Sequence, residues 1–279
     1  MTHAGQPAGR RAAFALAAGA LAFFVAFPFA WMIATALKPS QEIFATPPTL
    51  IPGTVTLANV ERLFAETRFA TYLVNSVLVA SATVCLTLAL AAPAAYALTR
   101  FRFRGRETIA GAVLFTYMFA PIMIIIPFYV MMRALGLANT HLGLILAYTG
   151  LCLPFALWLL RTFFQSIPLE LEEAALTDGA TRPQAVRYVV LPLARPGLVA
   201  TGTFTFILAW NDYIFARILL SADELKTLPI GIADLYNASV ADWGMIMSSG
   251  MLVLAPVLAV FLVIEKYLVA GWGAGGVKG

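Results

Sequence analysis

The sequence predicts an all-α integral membrane protein with six transmembrane helices, and three observations predict it. The 279 residues are 61% hydrophobic and 11% charged, with a mean hydropathy of +0.86. Soluble domains average about 45–50% apolar and about 25% charged residues, so a soluble fold has too little charge here to cover its exterior. The apolar residues also fall into six windows long enough to span a bilayer, each near the roughly 20 residues that a spanning helix needs. Finally, the basic residues cluster between those windows and not on one soluble face. That placement reads as topology signalling and excludes nucleic acid as the reason for the net charge of +4.

The windows are Ala12–Leu37, Thr71–Leu98, Ile109–Met132, Leu142–Leu160, Gly197–Leu220 and Met247–Ala270. The first follows Arg10 and Arg11, and its apolar run exceeds the ~7–15 residues of a signal-peptide core, so it reads as a retained helix. Trp31 and Lys38 at its far end read as an interfacial anchor. An even number of spans puts both termini on one side. Arg10, Arg11, Arg100, Arg102, Arg104, Arg106, Arg161, Arg182, Arg187, Arg195, Lys266 and Lys278 gather on that side, twelve of the 18 basic residues. The positive-inside rule makes it cytoplasmic. The expected divisions are a tail at 1–11, a first helix at 12–37, an outer loop at 38–70, a five-helix core at 71–267 and a tail at 268–279. No internal repeat stands out. In the outer loop, Pro39, Pro47, Pro48 and Pro52 predict extended chain, followed by a short helix near Leu57–Glu66.

Cys85 and Cys152 lie in separate spans and make no disulfide framework. With His3 and His141 they match no metal-ligand spacing, so small buried apolar residues are the plain reading. No cofactor is expected.

The cytoplasmic loop at 161–196 has more punctuation than a connector requires. Ser166 suits an N-cap, and Pro168 suits a first helical turn. Glu170, Glu172 and Glu173 favour the positive end of that helix, and Asp178-Gly179 is a stop signal. Thr181 with Gln184 forms a capping box for a second helix, ended by Pro192 and Pro196. Two readings suit such a segment: a platform for another protein, or an amphipathic helix lying on the bilayer.

Glu173-Ala174-Ala175, then Gly179 after three intervening residues, then Val189-Val190-Leu191-Pro192 after nine more resembles the EAA loop of ABC importer permeases. Val189 stands where that family usually has Ile. Asn75-Ser76, Ala94–Ala97, Phe101–Gly105, Leu135–Thr140, Leu153–Phe155, Trp158–Arg161 and the ending Gly275–Gly279 resemble the carbohydrate permeases of the maltose-transport type. The resemblance implies a type I ABC importer permease fold in a bacterial inner membrane. It implies an ATPase-coupling segment at Glu173, Ala174, Ala175, Asp178, Gly179, Leu191 and Pro192. It also implies a second homologous permease, two ATP-binding cassette subunits, an extracytoplasmic sugar-binding protein and a sugar as cargo.

The chain carries no energy source of its own. A P-loop needs GxxxxGK[ST] between strand and helix, and none of Lys38, Lys226, Lys266 and Lys278 has that context. The expectation is a transport subunit and not an enzyme, with ATP hydrolysed on a partner. A proton-driven transporter is the rival, but Asp212 and Glu265 are few acids for a relay. An ABC permease for a polyamine or an anion is a second rival. The polar cluster Trp210-Asn211-Asp212-Tyr213 in span five, with Asn75 in span two, is the candidate solute route. Hydrogen bonding between helices and an aromatic belt explain the same residues without a solute. Pro121 and Pro127 are close enough to break span three locally, for gating or for packing.

Overall fold

A computed structural model describes residues 8–238 and 240–275. Among the described residues the chain is helical throughout and no strand forms. In chain order the helices are α1 Ala8–Ala36, α2 Ser40–Ile43, α3 Ala58–Glu66, α4 Phe69–Arg100, α5 Arg106–Thr116, α6 Pro121–Ala134, α7 His141–Ser166, α8 Leu169–Thr177, α9 Arg182–Ala185, α10 Leu191–Leu193, α11 Arg195–Asn211, α12 Ile214–Leu219, α13 Leu228–Tyr236 and α14 Trp243–Gly275. A π turn at Val186–Val190 joins α9 to α10, and a 3-10 turn covers Asp223–Leu225.

By length and apolarity α1, α4, α7 and α14 can each cross a membrane. Two bent pairs raise the number to six: α5 with α6, bent by 95°, and Arg182–Leu193 with α11, bent by 73°. Six spans were expected, with a local break in span three; the bend associated with α11 was not anticipated. Span three breaks at Tyr117–Ala120, because Ala120 is extended (φ −60°, ψ 125°) ahead of Pro121, whose ring disfavours helical backbone in the preceding residue. Pro127 stays inside α6. Span five stops at Asn211, because Asp212 is extended (φ −71°, ψ 127°) and its carboxylate takes amides of the next helix.

Other boundaries move as well. Ser166 is the last residue of α7, its hydroxyl donating to the Phe163 carbonyl, and Pro168 holds the N-cap position of α8 instead. Helix α14 runs on to Gly275, so 268–275 continues a helix that the sequence ended earlier. Lys278 and the residues before Ala8 lie outside the described part. The short helix after the prolines is α3.

The chain divides into two compact units. One holds the described residues up to Phe69 with Ile232–Ala255. Its outer-loop half is held by buried polar groups. Asn59, 1% exposed, donates to the Ala36 and Lys38 carbonyls at 3.0 and 2.7 Å. Those are carbonyls that a helix end leaves without an internal partner. Lys38 is buried, donates to the Thr49 carbonyl and sits 5.3 Å from the centre of the Trp31 ring. Arg62 reaches Asp242 at 2.8 Å.

The other unit holds Ala70–Gly231 with the chain from Pro256 on. Helix α7 is its axis, with α5, α6, α11 and α12 packed against it. Gly197 lets α11 close onto α7, since a Cβ there would overlap the Phe163 ring. Ala91, Ala95, Tyr96, Ala156, Leu160, Phe164, Ile167, Val190 and Ala194 form one buried cluster beneath α8–α10.

Candidate functional site

The 161–196 segment folds as two short helices set across the ends of α4 and α7. Gly179 takes φ +91° and closes α8, a conformation an L side chain adopts only with strain. The Gln184 carboxamide accepts from the Thr181 amide at 2.7 Å and starts α9. The stretch then widens and underwinds through the π turn before the 73° bend into α11. Single π turns inside helices mark functional positions more often than chance.

Helix α8 has two faces. Glu173, Ala174, Thr177, Asp178 and Gly179 are exposed, and Ala175 is half-buried. Leu169 and Leu171 are also open, at 45% and 46%. Leu191 packs partly buried on the apolar cluster, and Pro192 faces outward. The coupling residues anticipated from sequence thus lie along one segment, most of them on its open side.

The opposite face carries Glu172, which the sequence reading named only for the helix dipole and not as an anchor. Glu172 is 4% exposed and accepts from the Tyr96 hydroxyl and from Arg100 Nε at 3.0 Å. Arg100 also donates to the Ile167 carbonyl at 3.0 Å, closing the link between α7 and α8. Tyr96 and Arg100 are one turn apart on α4 and so share a face. That spacing was the available signal. A second pair, Arg161 with Glu107 at 2.6 Å, ties α7 to α5, but the Glu107 side chain is 64% exposed.

At the other end of α4 a polar network fixes the loop after α12. Asn75 is buried, and its amide donates to the Glu224 and Lys226 carbonyls at 2.8 and 2.9 Å. The Ser76 hydroxyl accepts from the Leu228 amide, and Tyr72 donates to Asp223. The geometry therefore occupies Asn75 with holding that loop. The Asn139 side-chain Oδ1 also accepts from the Ser221 and Ala222 amides at 2.9 Å each.

The Trp210–Tyr213 residues do not point one way. Trp210 is 1% exposed, stacked on Phe206 at 5.4 Å, with its indole N–H unpaired. Asn211 is exposed and bonds the Ile207 carbonyl at 2.8 Å. Asp212 is half-buried and accepts from the Tyr148 hydroxyl at 2.9 Å and from the Phe215 and Ala216 amides. Tyr213 is 38% exposed.

Asp212 also borders a cavity of about 550 Å³ at the α5–α6 elbow, walled by Tyr117, Phe119, Phe128, Pro154 and Phe215. An aromatic row, Tyr117 to Phe155 to Phe204, runs on from it at 6.0 and 4.2 Å between ring centres. Among the described residues no three His, Cys, Asp or Glu gather as a metal would require.

These features define a class: a helical membrane component whose 161–196 segment has one exposed face and is held by a buried charged anchor. The sequence signature of the family "Binding-protein-dependent transport system inner membrane component" matches residues 87–272, and the chain belongs to that family. It is 36% identical over 255 residues to the inner membrane ABC transporter permease protein YcjP of Escherichia coli K12, covering 91% of each chain. It is 37% identical to the trehalose transport system permease protein SugB of Mycobacterium tuberculosis, covering 92% of this chain and 93% of that one. In structure it superposes with a TM-score of 0.84 and 26% identity on a chain of a bacterial ABC transporter that imports the acidic polysaccharide alginate, covering 94% and 99%. The relatives are transport permeases and not enzymes, and the fold is that of an ABC importer permease.

Proposed function

We propose that this chain is half of the membrane pathway of an ATP-driven, binding-protein-dependent sugar importer. The observation that carries the reading is the division of α8: Glu173 and Ala174 open to a partner, Glu172 clamped to α4. A helix lying on lipid would turn its apolar side to the bilayer, whereas this open side carries Glu173, Thr177 and Asp178 as well as two leucines. Small residues beside a carboxylate suit the cleft of an ATP-hydrolysing subunit. Two such subunits, a second homologous permease and an extracytoplasmic binding protein complete the assembly, and both termini face the cytoplasm. Sugar as cargo is supported by the trehalose relative and by the aromatic elbow cavity with one carboxylate at its edge. Aromatic faces suit sugar rings, and a carboxylate suits their hydroxyls. The route passes that cavity, with Asp212 at its edge; Trp210, Asn211 and Tyr213 flank Asp212 in the chain, and Asn75 serves the route only by holding the 224–226 loop.

The test is uptake of labelled mono-, di- and oligosaccharides by cells carrying Glu173→Lys or Gly179→Pro. Both variants should insert at normal levels and lose uptake. Normal uptake in both would contradict the reading.

A further inference from the structure

Helix α4 is clamped at both ends, and the clamps differ in what they hold. At one end Tyr96 and Arg100 grip Glu172 in the first turn of α8, and Arg100 also grips the Ile167 carbonyl. The Arg100 and Glu172 side chains are 9% and 5% exposed. A buried, doubly bonded pair is stiff, and removing one partner leaves a buried charge unmatched. At the other end Asn75 and Ser76 grip the backbone of the loop at Glu224, Lys226 and Leu228. From Asn75 to Arg100 the helix advances 25 residues, with Pro93 inside it, about 38 Å at 1.5 Å per residue. All these groups belong to one compact unit.

We propose that α4 is the transmission rod of this permease, with Glu172–Arg100 and Asn75 as its two positioning contacts. The inference rests on the docking reading of α8 above. Glu172 and Glu173 are neighbours about 100° apart on one helix. A partner that moves the Glu173 face must therefore drag Glu172, and through it α4. The far clamp passes that displacement to the 221–228 loop, at the end of α4 opposite the docking segment. Two rigid joints on one helix give a contiguous physical link, which a claim of coupling between distant sites requires.

The experiment uses the whole importer co-purified through this chain, with Cys85 and Cys152 replaced by Ser and Glu224→Cys as a reporter. Its reaction rate with an impermeant maleimide is measured with and without ATP plus orthovanadate, which traps the ATPase. The rod predicts a change of about fivefold or more on trapping. Glu172→Gln should abolish that change while the ATPase still co-purifies, and Asn75→Ala should do the same. If Glu172→Gln fails to assemble, Tyr96→Phe, which removes one hydroxyl, decides in its place.

An unaltered response in Glu172→Gln, or in Tyr96→Phe where that variant decides, overturns the inference, and so does no response in the unmodified complex. Glu173→Lys separates the two readings. If it releases the ATPase while Glu172→Gln keeps the full response, docking stands and the rod falls. If it retains both ATPase and response, the docking reading itself has failed.

Discussion

Asp212 shows at the scale of one residue how position reassigns a role. In sequence it is the acid most deeply placed in a span and a natural solute ligand. In the fold its Oδ1 accepts from Tyr148, Phe215 and Ala216, so it starts α12 and fastens α7 to α11. Asp212→Ala leaves three donors without an acceptor and should destabilise the protein by about 1–3 kcal/mol. Asp212→Asn keeps one acceptor oxygen and should lose less. Thermal melts in detergent rank the two, and an Ala variant as stable as the parent would contradict the assignment. Tyr148 lies 64 residues away in sequence, which is why no local pattern announced the bond. Adjacent carboxylates pose the same difficulty. Sequence marks both Glu172 and Glu173 as favourable near a helix start, but only the phase of the folded helix decides which one turns inward. By contrast, Gly179 and the Thr181–Gln184 box were legible, because their chemistry closes within four residues.

At the scale of elements, the spans contain breaks. Hydropathy cannot see them, since Tyr117–Ala120 is as apolar as its surroundings and only Pro121 hints at the 95° elbow. The elbow matters because it opens the aromatic cavity. Helix contacts make sharper predictions. Gly197→Ala places a Cβ in the Phe163 ring and should cost about 1–3 kcal/mol. Gly202→Ala meets Val84 and Leu88 only at 3.4 and 3.5 Å. It should be neutral or slightly stabilising, because alanine favours helix over glycine by about 1 kcal/mol. Melting both variants checks the α7–α11 packing against the α4–α11 packing. In the outer loop, the Gly53 amide holds the Glu42 carboxylate below its usual pKa against the opposing effect of desolvation, with the Thr49 hydroxyl adding a smaller downward pull. A depressed carboxylate stabilises the loop above its ordinary pKa and loses that contribution as pH falls through the folded value. Exchange of the Gly53 amide should therefore accelerate, relative to unprotected amides, on acidification. Glu42→Gln should remove that pH dependence.

For the whole molecule, composition, span count and family signature agree on a membrane permease. The exposed surface then has a reason. Helix α1 is not buried along its spanning window, and Phe14 and Phe24 stand 76% and 77% open, as lipid or another membrane subunit requires and water does not allow. On the proposed function, a pathway for a sugar needs walls on all sides, and this chain would supply half of them. The proposed assembly was suggested by the Glu173–Pro192 motif and the wider resemblance to maltose-type permeases, since composition and hydropathy describe a chain's solvent and not its partners.

The most direct measurement is affinity purification of this chain from its native membrane in mild detergent, with mass spectrometry of what accompanies it. The account predicts an ATP-binding cassette subunit and a second permease. Recovery of the chain alone, or only with copies of itself, in every detergent tried would contradict it.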